Sequence, residues 1–194
     1  IYMAAILGII LRPYSESVVL LGVIAVGGIF LPIGDLLSGY ASTTVWLVFS
    51  AFLISQAFVA TGLGRRIAYH LMSRLGGSSL GLAYGAAITD LVLSPATPSN
   101  TARTGGIVYP IYRSVAAALG SDPGPTGRKF GSYITVLLYQ ISMVTAGLFI
   151  TACAPNVLTV SFAKSIMKTD VSWMLWMQAA IVPGLIILAV VPWR

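Results

Sequence analysis

Residues 94–106 read SPATPSNTARTGG, and this polar stretch decides the fold because it separates two short apolar segments. The segments, residues 78–93 and 106–119, are each shorter than the roughly 20 residues that a spanning helix needs. Irregular backbone survives at membrane depth only where protein buries it or where it lines a cavity. The pattern therefore predicts a re-entrant helical hairpin over residues 77–119, whose tip binds substrate or ions.

The composition places the chain in a membrane. Of its 194 residues, 57% are hydrophobic and 8% are charged, against roughly 25% charged in soluble domains. The net charge of +6 is explained by basic residues in short cytoplasmic loops rather than by nucleic-acid binding. We therefore expect an all-α polytopic membrane protein that contacts the lipid bilayer and no nucleic acid.

Three further apolar stretches are long enough to cross a bilayer as single helices. They are residues 17–31 with their flanks, residues 43–62 and residues 171–193. Basic residues orient such helices, because Lys and Arg concentrate in cytoplasmic loops. Residues 64–74 and 120–129 are basic, whereas residues 34–41 carry an aspartate and no base. We therefore expect the two basic segments on the cytoplasmic side and residues 34–41 outside.

Residues 130–167 predict a discontinuous membrane helix. The stretch is too long for one straight span, and Pro155 breaks or kinks a helix because it lacks an N–H and clashes with the preceding turn. Broken helices recur in secondary transporters, where half-helix N-termini face anions and free carbonyls face cations. We expect the break at residues 151–156, and a plain proline kink is the alternative.

The tip of the predicted hairpin carries groups that suit a carboxylate. Ser99, Asn100 and Thr101 supply two hydroxyls and an amide, and a helix that begins after them would point free N–H groups at the same place. The same residue types also cap helices. The alternative is therefore a capping cluster that only stabilises the turn, with Thr101 or Thr104 as the N-cap.

Arg103 lies two residues beyond the tip and has two interpretations. A guanidinium near membrane depth is costly, and such residues are usually functional or paired. It could bind a substrate carboxylate with two hydrogen bonds, or it could form a structural ion pair with Asp90 on the other arm. Straight helical arms would place the two residues at different depths, so both interpretations stay open.

Nothing in the sequence predicts an enzyme or a cofactor. It contains no metal-ligand cluster, phosphate-binding glycine loop, dinucleotide fingerprint or Ser/His/Asp set. Cys153 is the single cysteine, so a disulfide within the chain is excluded. A channel is disfavoured as well, because no repeated filter or ring of charges is present.

Residues 97–106, TPSNTARTGG, closely resemble the divalent anion/sodium symporter family. Within it they resemble the branch of citrate/succinate and tartrate/succinate antiporters and the chloroplast 2-oxoglutarate/malate translocator. The resemblance implies two inverted repeats, each with a Ser-Asn-Thr hairpin and a broken helix, that meet around one dicarboxylate. It also implies a homodimer in which a transport domain moves against a scaffold, in an elevator-type motion.

The resemblance also assigns site residues. The substrate site would use Ser99, Asn100, Thr101, Arg103, Pro155 and Asn156. A cation site, where one exists, would use Ser99, Asn100, Ala152 and Cys153. Its ion would be sodium, and the resemblance implies no cofactor.

By the same resemblance, the chain corresponds to the first repeat. Residues 1–76 would be scaffold helices with an interfacial helix, and residues 77–194 would be half of a transport domain. That half comprises the hairpin 77–119, the broken helix 130–167 and a final helix 171–193. The second repeat is expected from the rest of the same protein, and it would complete the site.

Two departures from the sodium-coupled members predict exchange without sodium. Pro95 stands where a serine would help to bind the ion, and residues 152–154 read ACA where those members carry a glycine. We expect antiport of citrate, succinate, malate, 2-oxoglutarate or tartrate across a bacterial inner membrane, with the chloroplast inner envelope as the other location. Sodium-coupled symport and a scaffold subunit without transport are the alternative functions.

Overall fold

The computed structural model describes residues 2–193, and the regular structure of these residues is helical. This confirms the all-α prediction. The chain divides into two compact units, Ile1–Trp46 and Leu47–Arg194.

The first unit holds short helices. They are α1 (Tyr2–Leu11), α2 (Glu16–Phe30), α3 (Ile33–Leu36) and a 3-10 turn (Ser38–Ala41), followed by the start of α4 (Thr43–Ala60). The indole N–H of Trp46 donates to the carbonyl of Tyr40 at 2.7 Å, which ties the start of α4 to the turn before it. The span predicted at residues 17–31 corresponds to α2, which is 15 residues long.

The second unit contains the rest of α4 and the elements that carry the predicted site. They are α5 (Leu63–Leu75), α6 (Ser79–Leu93), a 3-10 turn (Ser94–Ala96), a π-helix (Thr101–Val108), α7 (Tyr109–Ala118), α8 (Gly131–Leu148), a 3-10 turn (Ile150–Ala152), α9 (Ala154–Met167), α10 (Trp173–Val190) and a final 3-10 turn (Val191–Trp193). Two of these helices have a serine N-cap. Ser78 caps α6 by accepting from the N–H of Gly81, and Ser172 caps α10 by accepting from the N–H of Leu175.

Four helices of the described residues are long and apolar enough to cross a membrane. They are Thr43–Ala60, Ser79–Ala96, Gly131–Leu148 and Trp173–Trp193. The predicted spans at residues 43–62 and 171–193 match two of them closely. Many large apolar side chains on these helices are exposed, such as Leu53, Tyr139 and Ile186 at 56%, 65% and 59%, as expected of surfaces that meet lipid or other membrane helices.

The chain reverses between α6 and α7, and forms a helical hairpin with antiparallel arms. Asp90 of the first arm bonds to Thr104 of the second. Further from the turn, Gly85 of the first arm lies against Tyr112 of the second, since a Cβ on Gly85 would be 3.0 Å from the Tyr112 hydroxyl. The arms are longer than the sequence predicted, because the first continues to Ala96 and the second is helical from residue 101 rather than 106. The re-entrant character of the hairpin stays a prediction.

Small residues let α5 and the hairpin pack closely. Ala68 of α5 and Ala83 and Ala86 of α6 are fully buried, and a Cβ on Gly64 would lie 3.1 Å from Ile107 of the second arm. The amphipathic α5 therefore belongs to the same compact unit as the hairpin, whereas the sequence assigned it to the scaffold with residues 1–76. The division into scaffold and transport domain stays a prediction.

The last helix packs against α8 just before the predicted break. A Cβ on Gly184 would overlap Cδ2 of Leu148, so the absence of a side chain permits this close approach. The indole N–H of Trp176 donates to the carbonyl of Gly147 at 2.8 Å, and Trp173 stacks on Phe149 with ring centroids 5.5 Å apart. These contacts hold the end of α8 in place.

The predicted orientation can be tested by labelling of the loop between α7 and α8. Asp122 lies in this loop, in the same segment as Arg128 and Lys129, and these basic residues predict a cytoplasmic location for the loop. In a full-length protein without other cysteines, Asp122→Cys should react with a membrane-impermeant maleimide only after the cells are permeabilised. Labelling of intact cells at this position would contradict the predicted orientation and the re-entrant hairpin together.

Candidate functional site

The turn between the two arms is closed by its own side chains. Ser99 Oγ accepts from the N–H of Ala102 at 3.2 Å, and Asn100 Oδ1 accepts from the N–H of Thr101 at 3.0 Å. The caps are therefore Ser99 and Asn100. The expectation of Thr101 or Thr104 as the N-cap is wrong, because the helical backbone already begins at Thr101.

Two polar groups of the tip remain available for a ligand. Thr101 is exposed, and neither its hydroxyl nor the amide nitrogen of Asn100 bonds to any of the described residues. Both groups lie at the start of the π-helix, a rare conformation that is frequent at functional sites. The tip thus presents a neutral hydroxyl and a neutral amide beside a helix N-terminus.

The predicted interruption is present between α8 and α9. Phe149 (φ −128°, ψ 143°) and Cys153 (φ −150°, ψ 136°) are extended, with the short 3-10 turn between them. The break begins two residues before the predicted position. Pro155 lies in the first turn of α9, where its missing N–H costs no helical hydrogen bond.

Asn156 stabilises the break from within. Its Nδ2 donates to the carbonyls of Ala146 at 2.7 Å and Phe149 at 2.9 Å. Ala146 lies in the last turn of α8, whose carbonyls lack helical partners. The amide nitrogen of Asn156 is therefore engaged by the backbone rather than directed at a ligand. Pro155 is exposed, and its carbonyl accepts from the Thr159 hydroxyl at 2.9 Å.

The tip and the break are in direct contact. The N–H of Ala154 donates to the carbonyl of Pro98 at 3.1 Å. Nη1 of Arg103 donates to the carbonyl of Thr97 at 3.1 Å and to that of Ala152 at 3.3 Å. The structure therefore brings together the two segments that the sequence predicted would form one site.

Arg103 is fully buried, and its guanidinium is surrounded by protein acceptors. Besides the two carbonyls, Nε donates to Asp90 Oδ1 at 3.2 Å and Nη2 donates to Thr145 Oγ1 at 3.0 Å. The ion pair with Asp90 is therefore the interpretation that the structure supports. A direct contact between Arg103 and substrate is incompatible with this geometry, because the guanidinium has no exposed surface.

Asp90 is equally buried and completes the network. Oδ1 also accepts from the Thr104 hydroxyl at 2.7 Å, and Oδ2 accepts from the Thr145 hydroxyl. A buried ion pair is tolerated when further hydrogen bonds satisfy both charged groups, as they do here. The sequence did not identify Thr104 and Thr145 as partners, since a threonine in a helix carries no signal of what it faces.

The predicted cation ligands are already engaged by protein donors. Ser99 and Asn100 accept backbone N–H groups, and the carbonyl of Ala152 accepts from Arg103. Cys153 is half-buried in the extended part of the break. A sodium ion at this junction would have to compete with the guanidinium for the same carbonyl.

A family model, described as the sodium:sulfate symporter transmembrane region, matches residues 1–194. The chain belongs to the divalent anion/sodium symporter family. This confirms the predicted family, which is described by its membrane-spanning transport region.

Several curated members of the divalent anion/sodium symporter family are similar to the chain. The inner membrane protein YbhI of Escherichia coli is 48% identical over 99% of the chain and 42% of its own length. The putative malate transporter YflS of Bacillus subtilis is 42% identical, with 99% and 41% covered. The citrate/succinate antiporter of Escherichia coli is 40% identical, with 81% and 32% covered. The chain thus spans about two fifths or less of the length of these relatives. Their bacterial membrane location agrees with the predicted one.

Proposed function

We propose that the chain forms half of the binding site of a secondary transporter that exchanges di- and tricarboxylates across a bacterial inner membrane. The observation that carries the proposal is the direct contact between the Ser-Asn-Thr tip and the break, through Ala154 and Pro98. Two relatives, a putative malate transporter and a citrate/succinate antiporter, support this substrate class.

The junction suits a carboxylate for electrostatic reasons. The π-helix begins at Thr101 and α9 begins at Ala154, and each helix start carries a partial positive charge. The hydroxyl of Thr101 and the amide nitrogen of Asn100 add neutral donors. In this proposal the second repeat supplies the matching donors for the other carboxylate, and the complete protein works as a dimer with an elevator-type motion.

The hydrogen bonds of the Arg103 guanidinium support exchange without sodium. It occupies the carbonyls of Thr97 on the tip and Ala152 on the break, where a bound cation would otherwise join the two segments. Pro95, in the 3-10 turn before the tip, has no side-chain oxygen to offer. A dianion exchanged for a dianion moves no net charge, so it needs no cation.

Sodium-coupled symport is the second candidate, because the matching family description names sodium. The two functions differ in a transport experiment with the full-length protein in proteoliposomes. Exchange predicts that uptake of radiolabelled succinate requires succinate inside the vesicles and continues when choline replaces external sodium. Uptake into empty vesicles that stops without sodium would establish symport and reject the exchange proposal.

A scaffold subunit without transport is distinguished in the same experiment. Protein-free vesicles of the same lipid set the background. Succinate uptake at that background by the unmodified protein, in sodium and in choline and with succinate inside, would reject both transport functions.

A further inference from the structure

The segments that form the candidate site contain one pair of opposite charges. Residues 75–112 include two charged side chains, Asp90 and Arg103, and residues 130–163 include none. The two side chains are fully buried and bond to each other, with Nε of Arg103 at 3.2 Å from Oδ1 of Asp90. Because a carboxylate and a guanidinium carry equal and opposite charges, these segments carry no net charge.

Stability alone does not explain why this pair is present. Charged side chains are costly at membrane depth, where we expect these segments. Apolar residues of similar volume often give the same stability as a buried ion pair, or more. Arg103 also donates to the carbonyls of Thr97 and Ala152, so its hydrogen bonds do not all depend on Asp90. A role of the two charges in the site accounts for the pair better than a contribution to folding does.

The positive member of the pair lies against the backbone of the tip. Nη1 of Arg103 donates to the carbonyl of Thr97 at 3.1 Å, and the N–H of the same residue donates to the carbonyl of Ser99 at 3.0 Å. A guanidinium stays protonated in proteins, and a charge in surroundings of low dielectric constant acts over many ångströms. Without Asp90, this charge would attract any carboxylate at the tip. With Asp90 beside it, the tip attracts a carboxylate through neutral donors and helix starts.

We propose that Asp90 is a specificity-determining residue, which cancels the charge of Arg103 behind the tip and so limits the preference of the site for a doubly charged substrate over a singly charged one. The proposal rests on the proposed function, which it deepens by naming the residue that sets the charge preference. Asp90 acts through Arg103 and touches no substrate, since it is fully buried. A site without excess positive charge also releases a dianion more readily, as exchange requires.

The variant Asp90→Asn removes the negative charge and keeps the shape. Its amide oxygen can accept from Arg103 and from the Thr104 hydroxyl, as Oδ1 does now. Its amide nitrogen can donate to Oγ1 of Thr145, whose own proton has a second acceptor in the carbonyl of Ile141 at 3.1 Å. Because these hydrogen bonds are kept, the variant should fold, although with lower stability than the unmodified protein.

The test compares two ligands that differ in charge and hardly in shape. Succinate carries two negative charges at neutral pH, whereas succinamate carries one, because an amide replaces one carboxylate. Isothermal titration of the full-length protein gives the Kd of each. The preference for succinate should rise about ten-fold in Asp90→Asn, as expected for a unit charge roughly 10 Å away at an effective dielectric constant of about 20. The second repeat is the same in every variant, so its charges do not affect the comparison.

Two controls separate charge from shape. The double variant Asp90→Asn/Arg103→Gln removes both charges, and should show the preference of the unmodified protein. Asp122→Asn makes the same change of charge at an exposed position in the loop between α7 and α8. Its preference should not change, because solvent and salt screen an exposed charge.

The outcomes separate this proposal from the proposed function. An unmodified full-length protein that binds no carboxylate would refute the proposed function. Normal binding of succinate, with the same preference in Asp90→Asn, would leave that function intact and overturn the role of Asp90. An equal rise in the single and the double variant would assign the effect to shape, and would overturn it too. The same holds for an Asp90→Asn protein that fails to fold, by size-exclusion chromatography, since the pair would then serve the fold.

Discussion

A Thr101→Val variant of the full-length protein is expected to lose about ten- to a hundred-fold in succinate affinity, and to fold normally. Valine keeps the shape of threonine but lacks the hydroxyl, and the Thr101 hydroxyl bonds to none of the described residues. The loss is that of one good hydrogen bond to a charged group, about 1.5–3 kcal/mol. Isothermal titration of the purified protein measures it, with thermal unfolding as the check on folding.

Two further tip variants make this result specific. Thr101→Ser retains a hydroxyl and should retain most of the affinity. Asn100→Ala removes a donor and also the cap on the Thr101 N–H, so it should lose affinity together with about 0.5–2 kcal/mol of stability. Unchanged affinity in both Thr101→Val and Asn100→Ala would reduce the tip to a capping device.

The largest loss of stability is expected from breaking the buried ion pair on one side only. Asp90→Leu or Arg103→Met leaves the other charge buried without its partner, which costs about 3–5 kcal/mol. The two residues are fully buried and bonded to each other at 3.2 Å. Thermal unfolding of the purified protein in detergent, followed by size-exclusion chromatography, should show each single variant as strongly destabilised.

The double variant distinguishes stability from function. With both charges replaced by apolar side chains, much of the stability should return, because no unpaired charge remains. Transport should stay low, since the carbonyls of Thr97 and Ala152 have lost the guanidinium that joins tip and break. A double variant that transports normally would show that Arg103 does not position the tip.

Part of the fold could be predicted because strong local signals coincide with it. Apolar stretches of about 20 residues gave the spans at Thr43–Ala60 and Trp173–Trp193, and the stretch before Pro155 predicted the break. The hairpin followed from the polar residues between two apolar segments. These signals depend on properties of neighbouring residues, which a sequence displays directly.

The rest depends on contacts between distant residues, which a sequence does not display. Three consecutive residues of the tip, Ser99, Asn100 and Thr101, are good capping residues, so only the backbone could show that Ser99 and Asn100 cap it. The first arm continues to Ala96 and the second begins at Thr101, so Asp90 lies level with Arg103 and Thr104 and bonds to both. Likewise, the sequence predicted α5 as an interfacial helix of the scaffold, whereas its alanine and glycine residues pack on the hairpin in the structure.

The central claim is that the junction of the tip and the break is half of a carboxylate-binding site. The most direct test is a cryo-electron microscopy structure of the full-length protein with succinate bound in sodium-free buffer. We predict a carboxylate within hydrogen-bond distance of the Thr101 hydroxyl and the Asn100 amide nitrogen, with Arg103 still bonded to Asp90 and Ala152. Succinate bound away from the tip, or a cation in place of the guanidinium between Thr97 and Ala152, would contradict the claim.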